Sequence, residues 1–489
     1  MDILIYIEKA LCDEDLVFMN TFLPEYLALM LKGLNNSTKV FYSAPVGYSG
    51  RLKGSQYFFQ RERQDDVEFW KDIFSRSGSD HLCKINAESA LCDGAVILEM
   101  IDLHLKYLAE FTFSENLPAG FSCEIVSKEL IESIPDFNEK TLPLSQVVKA
   151  NINQFDIELY YKEPDIRDKR ISFLIGNRRE KRIMENIFSV HKKNPAYSEI
   201  KGVIEKNPEV LYVAPSYLEI ELTGACDLSC LFCYRTALKE AHGNMDAGLS
   251  KKIFEQMGSF QLPYAVCFGG SGEPMMHPKF YEILTQAQNE PLVESVIVET
   301  NGLYADANYR NFILNTGLKI STIVNCNGMN AETYEKLHGR DCFDRVRDNV
   351  LSLNEAAAGR LYIQIMKIKE TEPFTDAYYD YWEKYKIPII FQKQNTYLGR
   401  VEDRRYSDLS PLERVPCWHL QRDLYVLSDG TVSFCKQDVE GACSKGNINK
   451  ETVQALWQKK KENFINDYNK SYPAAPDCKS CDEWYTFNI

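Results

Sequence analysis

Cys226, Cys230 and Cys233 lie in one short run, Cys226-Asp-Leu-Ser-Cys230-Leu-Phe-Cys233-Tyr234, directly after the strand-like segment Tyr217 to Thr223. Three thiolates on a single loop can hold three irons of a [4Fe–4S] cube and leave the fourth iron without a protein ligand. Plain electron carriers normally spend four cysteines on a cube. An open iron suits a cluster that must bind a small molecule and pass it an electron. The competing chemistry is a structural zinc site, which takes four ligands and usually pairs cysteines two residues apart. One gap here is three residues long, and the nearest fourth ligands are His242 and Cys267.

A second cysteine group lies near the C-terminus. Cys417 falls in Pro416-Cys417-Trp418, Cys435 ends the run Leu424 to Cys435, and Cys478-Lys-Ser-Cys481 follows. Four thiolates saturate one [4Fe–4S] cluster; by spacing they fit a zinc ribbon equally well. Cys443 is spare and reads as a simple thiol. His419 reads as an outer hydrogen-bond partner of the ligands, and Asp438 as a candidate general base near the substrate.

These groups need a scaffold. Between Ala214 and Thr396 the pattern alternates strands and helices. Strands are expected at 217–223, 264–268, 295–299, 320–325, 361–368 and 387–392, rich in β-branched and aromatic residues as buried parallel strands are. Helices are expected at 249–257, 280–288, 307–314, 343–355 and 375–385, with Ser250 and Thr375 as candidate caps. Six such units imply a parallel sheet with right-handed crossovers and ligands at the C-terminal strand ends. Three further loops there carry polar signatures. They are Gly269-Gly270-Ser271-Gly272-Glu273-Pro274, Glu299-Thr300-Asn301-Gly302 and Val324-Asn325-Cys326-Asn327-Gly328. Asn301-Gly302 also reads as a plain tight turn.

Four loops in this order, each behind its strand, resemble the radical S-adenosylmethionine (SAM) enzymes. The resemblance implies a partial (β/α)6 barrel, a [4Fe–4S] cluster with an open iron on Cys226, Cys230 and Cys233, and SAM as cofactor. It places Phe232 at the aromatic position before the last cysteine. Gly270, Ser271, Gly272 and Glu273 form the segment that receives the SAM ammonium, and Asn301 and Asn325 are further SAM contacts. Asn327 stands where the family pattern has Asp, so a negative charge is lost there. The C-terminal segment resembles the SPASM domain, with Cys417, Cys435, Cys478 and Cys481 at the ligand positions. With Cys443 alone to spare, one auxiliary [4Fe–4S] cluster is expected. The implied chemistry is reductive cleavage of SAM to a 5′-deoxyadenosyl radical that abstracts hydrogen. Implied partners are an electron donor such as ferredoxin or flavodoxin and a peptide or small-molecule substrate. Peptide or protein modification is the first reading. A nucleotide-linked sugar or glycolipid precursor is the alternative substrate, and a non-catalytic iron–sulfur or zinc protein the alternative class.

The chain of 489 residues is long enough for two or three domains. The expected layout is an α/β domain at 1–190, a linker at 191–213, the radical SAM core at 214–400 and a small cysteine-rich α+β domain at 410–489. The first domain is loosely similar to sugar cytidylyltransferases, through segments such as Leu117-Pro118-Ala119-Gly120. The layout as a whole resembles the spiro-SPASM group. Yet the loop after the first strand, Glu8 to Glu14, has no glycine to cradle phosphate, so a degenerate, nucleotidyltransferase-like domain is expected. A formal net charge of −14 argues against nucleic acid as the main partner. The mixed-charge stretch Arg178 to Arg182 reads as a solvated helix face. No secretory signal and no membrane span are apparent. The 15 cysteines then fit metal ligation in a reducing cytoplasm.

Overall fold

The structure, a computed structural model, describes residues 1–33, 38–134, 142–191, 195–240, 242–316, 319–357, 359–407, 410–472 and 476–486. It divides into two compact units, Met1–Val213 and Ala214–Ile489.

The first unit is built on a seven-stranded mixed sheet in the order 58–61, 40–45, 2–6, 81–86, 124–127, 111–114 and 157–160. Its first strand runs parallel to both neighbours. Strand Glu124–Ser127 is antiparallel to both of its own. Trp70, Phe74, Phe111 and Phe113 fill one side of the core. The expected linker is not a loose connector. It carries helix Tyr197–Lys206 and the turn Pro208–Leu211. Tyr197, Ile200, Val203 and Ile204 repeat at helical spacing and are buried, so the segment belongs to the first unit.

The second unit is built on a nine-stranded sheet. Its first six strands in chain order are Tyr217–Glu221, Tyr264–Gly269, Val293–Thr300, Ile320–Asn325, Leu361–Lys367 and Ile389–Lys393, each beside the next. All five pairings are parallel. The last strand begins two residues later than expected, because Pro388 has no N–H for the ladder. Strand Asp423–Val426 adds a seventh parallel strand against Tyr217–Glu221. It then turns at Asp429-Gly430, where Gly430 has φ +87°, into an antiparallel pairing of Val426 with Val432. The C-terminal segment therefore shares the core sheet. Its run Leu424-Tyr425-Val426 is fully buried, as an interior parallel strand must be.

The expected caps are not used. Asp246 caps helix Ala247–Gly258 by accepting from the Gly248 N–H at 2.8 Å. Ser250 lies inside that helix and donates to the Ala247 carbonyl. The Thr375 hydroxyl donates to the Thr371 carbonyl, and Phe374 occupies the cap position. Asp246 wins because a carboxylate is already placed to take a free amide at the helix start. Helix Ala331–His338 escaped the periodicity reading, being only two turns long. Asn330 caps it at 2.9 Å from the Thr333 N–H, and Gly339, at φ +75°, ends it. Among the described residues no helix is long and apolar enough to cross a membrane.

Candidate active site

The C-terminal ends of the core strands open into a cavity of about 610 Å³. All seven expected cysteine ligands line it, together with Phe232, Gly270, Ser271, Gly272, Glu273, Asn301 and Asn325. His242, Cys267 and Asp438 are not among its lining residues.

The loop bearing Cys226, Cys230 and Cys233 is docked on the end of helix Ala331–His338. The Ser229 N–H donates to the His338 carbonyl at 3.0 Å, and the Leu231 N–H to the Leu337 carbonyl at 2.9 Å. Gly339 permits the approach, since a Cβ there would lie 3.0 Å from the Ser229 carbonyl oxygen. His338 Nδ1 sits 3.1 Å from Cys230 Sγ. The ring is buried against Tyr334, stacked at 4.2 Å, and meets Phe232 edge-on at 5.7 Å. Burial pushes the His338 imidazole down to about 3, so it is neutral near pH 7. Burial also raises the Cys230 thiol, and the neighbouring Cys233 and Cys226 raise it further. Three sulfurs that penalise one another's charge fit a cationic iron core that takes all three as thiolates. Neither alternative fourth ligand is placed to join them. His242 Nδ1 is 2.6 Å from Glu221 Oε1, and Cys267 is packed in the sheet core with Tyr217, Ile297 and Ile323.

Glu221, at the end of the first core strand, shapes the adjoining glycine loop. Its carboxylate accepts from the Ser271 N–H at 3.1 Å and hydroxyl at 2.6 Å. Burial alone raises its carboxyl, but bonds from His242 and Ser271 hold it below the ordinary range. Gly270, at φ +96°, lies so close that a Cβ would be 2.8 Å from Glu221 Cβ. Glu273 was expected to face a cation, yet both its oxygens are engaged inside the chain. Oε2 accepts from the Asn301 N–H at 2.7 Å; Oε1 accepts from the Thr300 hydroxyl at 2.8 Å and the Met275 N–H at 3.2 Å. Burial pushes its carboxyl up to about 7. Asn301 in turn donates to Asp227 at 3.0 Å, tying this loop to the cysteine run. Gly302 at φ +81° makes the tight turn as well, so the two readings of Asn301-Gly302 coexist. Asn325 accepts from Gln364 at 2.5 Å on the cavity wall. Asn327 is buried and accepts from the Met366 N–H at 2.6 Å.

The other four cysteines come from three separate segments. Helix Val453–Tyr468 gathers them. Its Asp467 accepts from the Cys417 N–H at 2.6 Å and pairs with Arg414 at 3.2 Å. Arg414 donates to the carbonyls of Cys478 at 2.8 Å and Cys481 at 3.1 Å. Lys460, from the same helix, donates to the carbonyls of Ser433 and Phe434, just before Cys435. Burial raises the Cys435 and Cys417 thiols, and cysteines of the group add to both shifts. Asp438 spends its carboxylate on the N–H groups of Phe434 at 3.1 Å and Cys443 at 3.2 Å. It holds the turn after Cys435 and does not reach the cavity. His419 bonds to Asp423 at 2.6 Å and Thr486 at 3.1 Å rather than to a cysteine. Among the described residues, no three or more His, Cys, Asp or Glu are drawn together to hold a single metal ion. A cube presents a separate iron to each thiolate.

Sequence reasoning missed His338, Glu221 and the Arg414–Asp467 pair. It also missed Lys436, a cavity residue that pairs with buried Glu219 at 3.0 Å. Adjacency to Cys435 was the one available signal for Lys436. In the first unit, the loop after the first strand faces acid. The Glu8 N–H donates to Glu88 at 3.2 Å, and burial raises the Glu88 carboxyl to about 7.

A largely parallel sheet with a three-cysteine loop after its first core strand and four more cysteines on the same cavity is an α/β scaffold whose thiols suit iron–sulfur ligation. The Radical SAM superfamily model matches residues 220–373, and that of the SPASM iron–sulfur cluster-binding domain matches residues 417–482. The second unit thus carries a radical SAM domain followed by a SPASM domain, and the cofactors that go with them are a [4Fe–4S] cluster, SAM and auxiliary iron–sulfur. An uncharacterized protein of Treponema pallidum is 25% identical over 359 residues, 70% of this chain and 97% of the relative. Mycofactocin maturase MftC of Mycobacterium tuberculosis is 29% identical over 152 residues, 31% of this chain and only 37% of the relative. Streptococcus suis SuiB, solved bound to precursor peptide SuiA, aligns at TM-score 0.44 and 14% identity over 64% of this chain and 77% of SuiB.

Proposed function

We propose that this enzyme modifies a peptide or protein at an unreactive C–H bond, with Cys226, Cys230 and Cys233 holding the SAM-binding cluster and Cys417, Cys435, Cys478 and Cys481 holding one auxiliary [4Fe–4S] cluster. The observation that carries this reading is that both cysteine groups and the three polar loops line one cavity. When bound, the cluster and SAM supply a one-electron cleavage of a C–S bond and a carbon radical. The chain's own residues orient and enclose. Glu221 and Glu273 fix the loops that face SAM, and Asn301 ties them to the cysteine run. Small-ligand pockets run to about 300–1,000 Å³, and this one must take SAM besides the substrate. The relative named as a maturase supports the peptide reading. The electron comes from a ferredoxin or flavodoxin, and the free thiols suit a reducing cytoplasm. Peptidomics on a deletion strain tests the substrate. The expected result is accumulation of an unmodified peptide; an unchanged peptide pool alongside an accumulating sugar precursor would overturn it.

A further inference from the structure

We propose that His338 donates its Nδ1–H to the Cys230 sulfur and thereby raises the reduction potential of the cluster held by Cys226, Cys230 and Cys233. The inference rests on the ligation proposed above. It follows from which ring nitrogen can carry the proton. His338 Nε2 lies 3.1 Å from the Asn327 backbone N–H, which can only donate. The Asn327 side chain is oriented by its Oδ1, which accepts from the Met366 N–H at 2.6 Å. Its Nδ2 therefore faces Nε2, at 3.4 Å. Two donors point at Nε2, so Nε2 is the acceptor and Nδ1 bears the hydrogen. That hydrogen points at Cys230 Sγ, 3.1 Å away.

The loss of Asp at position 327 gains a meaning here. An Asp side chain offers only acceptors when ionised. It would draw a proton to Nε2 and present a lone pair, not an N–H, to the sulfur. Asn327 and His338 act as one relay, from the Met366 amide to the cysteine. The ring is held in place by the Tyr334 stack, so the bond does not depend on solvent.

A hydrogen bond to a ligating sulfur stabilises the more negative, reduced cluster. Removing it makes reduction harder. His338 is a positioning and tuning residue, since it acts through the sulfur of Cys230.

The test is an EPR-monitored redox titration of reconstituted wild type, His338→Phe and His338→Gln without SAM. The SAM-binding cluster is recognised by the change in its signal when SAM is added afterwards. In His338→Phe the reduction equilibrium shifts about tenfold toward the oxidised form, about 59 mV for one electron. His338→Gln keeps an N–H donor and recovers at least half of that shift. Equal midpoints in wild type and His338→Phe, or equal shifts in both variants, would overturn the inference while leaving the ligation intact. A wild-type protein with no SAM-responsive cluster would overturn the ligation itself and this inference with it. Should His338→Phe not fold, pulsed EPR of wild type labelled with 15N-histidine decides. A hyperfine coupling from one histidine nitrogen to the reduced cluster supports the bond, and its absence overturns it.

Discussion

The two cysteine groups solve one problem in opposite ways. The first places three ligands within eight residues of one loop and braces that loop from outside, on the end of helix Ala331–His338. The second draws four cysteines from three distant segments and uses charged side chains to gather them, part-buried Arg414 and buried Lys460 on the backbone carbonyls and buried Asp467 on a backbone amide. In the proposed ligation, the local loop would leave one iron for a small molecule, and the converging set of four would close every corner. The contrast teaches that open coordination is written in the chain locally, whereas closed coordination is written in its packing.

The largest expected effect separates the two groups outright. Cys230→Ala abolishes SAM cleavage under dithionite and leaves about half of the roughly eight irons of two [4Fe–4S] clusters. Cys478→Ala lowers iron but spares cleavage; if cleavage is also lost, the division of labour between the groups is wrong. Next comes the gathering of the second group. Arg414→Leu strands buried Asp467 and costs about 3–5 kcal/mol, read as a drop in the denaturation midpoint with loss of auxiliary iron. An unchanged midpoint would show that the ions do not hold the cysteines together. Glu273→Ala leaves the Thr300 hydroxyl and the Asn301 N–H unpaired. It costs about 1–3 kcal/mol and weakens SAM binding in equilibrium dialysis, and unaltered affinity would detach this loop from SAM.

The smallest effect concerns the Glu221–His242 pair. His242 is raised by its bond to Glu221, so its share of stability is complete below the usual imidazole value and is lost as pH rises through the raised one. Glu221 is lowered, so its share is complete above the usual carboxylate value and is lost as pH falls. The pair is therefore strongest between about pH 4.3 and 6.5. It contributes about 1 kcal/mol. Thermal midpoints measured across pH should lose this dependence in His242→Gln; an identical profile would remove the pair from the account.

The parallel core was legible because buried strands carry their own apolar signal, and the three-cysteine loop because its ligands are neighbours. Asp438 misled because proximity to Cys435 in sequence says nothing of direction; its carboxylate turns to amides and away from the cavity. Helix Ala331–His338 was too short for periodicity, and with it His338 was missed. The join of Asp423–Val426 to the core sheet was hidden for another reason. A hairpin signal at Asp429-Gly430 describes one edge of a strand and is silent about the other. Arg414 and Asp467 lie 53 residues apart, and no local pattern links them.

The central claim is that the three-cysteine group holds a [4Fe–4S] cluster with one iron free for SAM. EPR of the reduced, reconstituted protein with and without SAM tests it most directly. The account predicts that SAM shifts the signal of one cluster, that Cys230→Ala removes that signal, and that the other cluster's signal stays. Identical spectra with and without SAM would contradict it.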